Sequence, residues 1–111
     1  MALSYELPKK IPIGATPPTA AQAARCSEVA AVYTGAALTT QFTLTTNFEL
    51  SADDVSRGLP EVEFEALTAD YYTENPQIAS KTADTVVVNV TGTAATAFLR
   101  IRAKRPNTMT L

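Results

Sequence analysis

The sequence predicts an all-β chain: an antiparallel β-sandwich or small barrel with an extended N-terminal arm and one or two short helical turns. Three observations carry this. Apolar and polar residues alternate with period two in several short runs, separated by Gly, Pro, Asn and Asp. The 17 threonines supply β-branched side chains that suit strands. Prolines 8, 12, 17 and 18 exclude a helix interior at the start of the chain. The length of 111 residues suits one domain. Its parts are an arm over residues 1–18, a helical connector over 19–27 and a β-sandwich over 28–111.

In the arm, Leu3, Tyr5, Leu7, Ile11 and Ile13 all have odd numbers, so an extended chain shows them on one face. Pro8 and Pro12 are both even and remove donors from one lateral edge only. One blanked edge and one intact edge suit an added edge strand. The backbone entropy of ordering the arm exceeds what five apolar side chains return, so it requires a dock. That dock is either a neighbouring subunit or the arm's own domain.

In the connector, Thr19-Ala20-Ala21-Gln22 fits a capping box that opens one or two helical turns. Val29, Ala31 and Tyr33 continue as a strand ended by Gly35, or as a helix through Tyr33. Leu38, Phe42, Leu44, Phe48 and Leu50 are even and the residues between are polar, which predicts a long half-buried strand. Ser51-Ala52-Asp53-Asp54 caps a helical turn that Gly58 and Pro60 end. Val62, Phe64 and Ala66 then face inward on a strand, with Glu61, Glu63 and Glu65 outward. Residues 70–76 read as a loop and 78–81 as a short strand. Val86, Val88 and Val90 form one arm of a hairpin that turns at Thr91-Gly92-Thr93. Ala97, Leu99, Ile101 and Ala103 form the inner face of its return strand. Pro106 stops that strand, and a short polar tail follows.

The composition limits the chemistry. With no histidine, every His-based triad, acid–base pair and metal site is excluded. One cysteine, Cys26, forms no internal disulfide and reads as an inert small apolar residue. A net charge of −2 argues against a nucleic-acid coat. No run approaches the ~18 apolar residues that cross a bilayer, and the opening residues lack a secretory apolar run. The expectation is a protein that is not an enzyme, takes no cofactor or metal, and contacts neither nucleic acid nor membrane directly.

The binding candidates are side chains in rows. Arg100, Arg102 and Lys104, followed by Arg105, make a basic row on the outer face of the last strand. Glu61, Glu63 and Glu65 make an acidic row. The rows suit pairing with each other, within one subunit or between copies, and such pairs set register and partner more than stability. Phe98 lies among the outward basic residues. It marks an interface, unless a bulge turns it inward. Tyr71-Tyr72 either pins its loop or grips a ligand. The expected partner-binding set is therefore Leu3, Tyr5, Leu7, Ile11, Ile13, Phe98, Arg100, Arg102, Lys104, Glu61, Glu63 and Glu65.

The opening Met1-Ala2-Leu3-Ser4-Tyr5-Glu6-Leu7-Pro8, the Ala/Thr-rich strands, and the stretch from Thr91-Gly92-Thr93 to Phe98-Leu99-Arg100-Ile101-Arg102 resemble small virion structural proteins of tailed bacteriophages. Head decoration, or cement, proteins are the most similar class. The resemblance implies a β-rich domain, an arm laid on capsid subunits, and a homo-oligomer, often a trimer. The implied partners are the major capsid protein or other virion subunits. The implied location is the capsid surface, reached from the host cytoplasm during assembly. A tail or neck component, or a stand-alone module for carbohydrate or a host protein, are the alternatives.

Overall fold

The alternating segments form two antiparallel sheets packed as a sandwich in the computed structural model, which describes residues 2–105. The larger sheet contains β1 (Ala2–Leu7), β2 (Ile11–Gly14), β3 (Glu28–Thr34), β5 (Glu61–Ala66) and β8 (Ala97–Lys104), in the order β2-β1-β3-β8-β5. The smaller contains β4 (Gln41–Thr45), β6 (Gln77–Lys81) and β7 (Thr85–Asn89), in the order β4-β7-β6. Neither closes into a barrel. The tail expected after Pro106 lies outside the described residues.

The core sits where the period-two faces meet. Val29, Ala31 and Tyr33 of β3 and Leu99, Ile101 and Ala103 of β8 face Phe42 and Leu44 of β4 and Val86 and Val88 of β7, all buried. Tyr33 stacks on Phe42 with centroids 3.9 Å apart and meets Phe98 edge-on at 5.5 Å. The helical turns are local devices. Thr19 and Gln22 complete a reciprocal capping box at α1 (Ala20–Ala23). Ser51 caps α2 (Ala52–Ser56) by accepting the Asp54 N–H, and Asp53 and Asp54 lie at the positive end.

The N-terminal segment is not an extended arm. Residues 2–14 fold back as a hairpin, and β1 lies inside the larger sheet between β2 and β3. The required dock is the chain's own domain: β3 supplies the backbone pairing, and Tyr5 enters the core. The Thr45 N–H donates to the Tyr5 hydroxyl at 3.0 Å, tying the two sheets. Nor do the odd residues form one stripe. Lys9 and Lys10 turn the chain at φ 69° and 60°, and a bulge at Ile13 shifts the β1–β2 register. Tyr5 is therefore buried, Leu3, Leu7 and Ile13 are half-buried, and Ile11 is 54% exposed. Pro12 lies on the outermost strand, where a missing donor costs little.

Four further expectations change. The alternation from Leu38 to Leu50 is not one strand, because Leu38, Asn47 and Glu49 take positive φ and leave only β4 extended. Residues 70–76 contain a helical turn, α3 (Asp70–Glu74). The predicted last hairpin is a crossover: β7 and β8 belong to different sheets, and residues 90–96 carry the chain between them. Phe98 is buried, not displayed. Tyr33 pairs with Leu99 while Thr34 pairs with Ala97, so the register steps past Phe98 and the bulge turns its ring into the core.

Candidate interaction surfaces

Register determines the outer face of the larger sheet. Antiparallel pairing sets Glu61, Glu63 and Glu65 of β5 opposite Lys104, Arg102 and Arg100 of β8. On the other side of β8, Arg100 and Arg102 lie opposite Val32 and Ala30 of β3. Arg100 reaches over β3 to β1, where its Nε donates to Glu6 at 2.9 Å, and its Nη1 donates to Glu65 at 2.9 Å. Arg102 holds the second oxygen of Glu65, and Lys104 pairs with Glu63. The side chains of Arg100 and Glu6 are only 14% and 11% exposed. The two rows thus pair within one chain, and Arg100 clamps three strands. Glu61 joins none of the described ion pairs.

These contacts shift the charges they join. The Lys104 hydrogen bond holds Glu63 below the usual carboxylate range, and the Arg102 hydrogen bond does the same for Glu65. Glu6 raises Arg100, and Glu63 raises Lys104. A carboxylate with a depressed folded pKa contributes stability above its unfolded value, near pH ~4. That contribution is lost as pH falls through the folded value, and solvent keeps it small for the exposed Glu63 and the half-buried Glu65. Arg105 leaves the row. Its guanidinium donates to Ala23 O at 2.7 Å and Cys26 O at 3.3 Å and lies 4.7 Å over the Phe48 ring.

The opposite feature is the loop end of the sandwich, where Tyr71-Tyr72 lies beside a buried carboxylate, Glu74. Glu74, the last residue of α3, is 1% exposed. Its carboxylate accepts the backbone N–H groups of Gly92, Thr93 and Ala94 at 2.9, 3.1 and 3.2 Å, and the Thr93 hydroxyl at 3.2 Å. Successive N–H groups aimed at one anion make a cradle. Gly92 is required there: its φ is +82°, and an added Cβ would lie 2.9 Å from Thr39 O. Thr91 N–H donates to Glu74 O at 3.0 Å, and Leu38 N–H to Gly92 O at 2.6 Å.

This latched platform displays two large apolar side chains. Leu38 is 92% exposed and Tyr72 75%. Leu38 stands at φ 70°, a left-handed conformation that costs a non-glycine residue roughly 1–2 kcal/mol. Tyr71 packs half-buried against the core, and Tyr72 meets it edge-on at 5.3 Å. The missed signal was Glu74 just before Asn75-Pro76 and eighteen residues ahead of Gly92, a pairing that no local pattern exposes.

Tyr33 lies beneath the platform with its hydroxyl buried and unpartnered among the described residues. Burial first, then the Glu74 charge, raises its pKa. A raised folded pKa means that this stability is complete below the ordinary tyrosine value of about 10 and is lost as pH climbs through the folded value. Tyr33→Phe is expected to stabilise the chain by about 1 kcal/mol and to reduce its alkaline destabilisation. Melting curves at neutral and alkaline pH check both, and a lower melting temperature at neutral pH contradicts the first.

Among the described residues no three His, Cys, Asp or Glu side chains are grouped to hold a metal ion, and no helix is long and apolar enough to cross a membrane. No protein-family model, curated protein sequence or solved structure matches the chain.

Proposed function

We propose that this protein is a non-enzymatic structural component that attaches to a symmetric protein assembly, in the manner of a bacteriophage head decoration protein binding the major capsid protein. The observation that carries the reading is Leu38, 92% exposed and at φ 70°. A large apolar side chain held in a costly backbone conformation, with no packing in return, is better explained by a contact than by the fold. Tyr72 adds a second apolar contact beside the same latched loop. The resemblance in the opening and closing segments supplies the virion context. The arm and Phe98 are occupied within the chain, so attachment moves to the loop end.

The experiment is cosedimentation with the capsid shell of the virus that encodes the protein. Leu38→Asn relaxes the backbone, since asparagine tolerates the left-handed region. It is expected to raise stability by about 0.5–1 kcal/mol while weakening attachment at least tenfold, and Tyr72→Ser to weaken it further. Attachment unchanged in both variants removes the loop end from the contact. The exposure of Tyr72 also favours a second reading, a module for a carbohydrate or a host protein. In that case Tyr72→Ser abolishes binding to a soluble glycan or host protein, and capsid shells bind neither form.

A further inference from the structure

The sandwich is unequal, because five strands face three. The Tyr5–Thr45 hydrogen bond sets β4 over β1. Lys81 Nζ donates to Gly58 O at 2.6 Å and sets β6 beside the start of β5. The two flanks therefore differ. On one, β2 is outermost and Ile11 is 54% exposed. The turn before it carries Lys9 and Lys10, both exposed and in none of the described ion pairs.

On the other flank β5 and β6 are the edges. Val62 and Phe64 point inward by register, opposite Ala103 and Ile101, yet stay half-buried. Ile78 lies opposite the core residue Val88 and is 40% exposed. This apolar mouth has an acidic rim, where Glu61 is exposed and joins none of the described ion pairs.

We propose that this mouth receives the overhanging hairpin of a second copy of the chain, Ile11 against Ile78, Val62 and Phe64, with Lys9 and Lys10 beside Glu61. Charge and apolarity are complementary between the flanks of two copies, which sets partner and register. The levels also match. Glu6 pairs with Ala30, Ala30 with Arg102, and Arg102 with Glu63, so the turn after Leu7 stands level with Glu61. Each copy offers one donor flank and one acceptor flank, so the contact is heterologous and either closes a ring or extends a filament. Matched levels favour a ring whose axis runs along the strands, with the Leu38 end facing along that axis.

Sedimentation velocity of the full chain over a concentration series tests this. The wild type is expected to form one closed oligomer. Ile11→Glu alters an exposed side chain and is expected to keep the melting temperature and raise the dissociation constant at least tenfold. Lys9→Glu with Lys10→Glu is expected to weaken association similarly. Adding Glu61→Lys to that chain reverses the sign on both flanks and restores association. A wild type that stays monomeric at its highest soluble concentration overturns the proposal, as does an oligomer indifferent to Ile11→Glu or a charge reversal that restores nothing. Capsid attachment is read separately: Leu38→Asn leaves this oligomer intact, so either reading fails without the other.

Discussion

Glu74→Ala is expected to cost about 3 kcal/mol or more and to lower the melting temperature by more than about 10 °C. The carboxylate accepts three backbone N–H groups and one hydroxyl at a position 1% exposed. Removing it strands donors whose desolvation is no longer repaid, at roughly 1–3 kcal/mol for each that stays buried. The loop recovers part of this by opening to water, which is why the expected loss is below the sum. Glu74→Gln keeps the volume but turns an amide NH2 toward N–H donors, so it is expected to rescue little. Urea unfolding of the three forms measures the difference. A loss under about 1 kcal/mol for the alanine variant would make the cradle incidental to stability. Opening the loop also releases Leu38 from Gly92 O, so attachment is expected to fall with stability.

Arg100→Met is expected to cost about 3 kcal/mol, because it leaves the Glu6 carboxylate unpaired among packed strands. Glu6 has no other described ion-pair partner, and its side chain is 11% exposed. Replacing both members, Glu6→Leu with Arg100→Met, is expected to recover most of the loss, since apolar side chains of similar volume often match a buried pair. The Lys104–Glu63 pair, with side chains 42% and 49% exposed, is the internal contrast. Lys104→Met is expected to leave stability nearly unchanged, because solvent screens so exposed a pair. A double-mutant cycle on Glu6 and Arg100 isolates the coupling. Additive losses would show that Arg100 stabilises by packing along its aliphatic stem and not by clamping the N-terminal strand.

Much of the candidate surface was legible in the pattern of single strands. Glu61, Glu63 and Glu65 fall on one face of β5, and Arg100, Arg102 and Lys104 on one face of β8, because side chains alternate along an extended backbone. That they meet each other across one strand boundary depended on which strands are neighbours. No local pattern marks Glu6, because its partner Arg100 is 94 residues away. By its even number Leu38 belongs to the row of Phe42, Leu44, Phe48 and Leu50, and only its positive φ takes it out of that row.

The sequence by itself determined the all-β class, the capped turns at α1 and α2, and the inward faces of β4, of β7, of Val62 and Phe64 in β5 and of Leu99, Ile101 and Ala103 in β8, though not of Ala66 and Ala97, which were expected inward and are exposed. These depend on short-range periodicity and on hydrogen bonds between residues a few positions apart. The tertiary structure alone decided that the N-terminal segment docks on its own sheet, that β7 and β8 part company, and that Phe98 turns inward. It also decided where Glu74 goes. Each is a choice among partners distant in the chain, and a strand's alternation is the same whichever sheet receives it. Only the pairing of backbone edges and the filling of one shared core distinguish the alternatives.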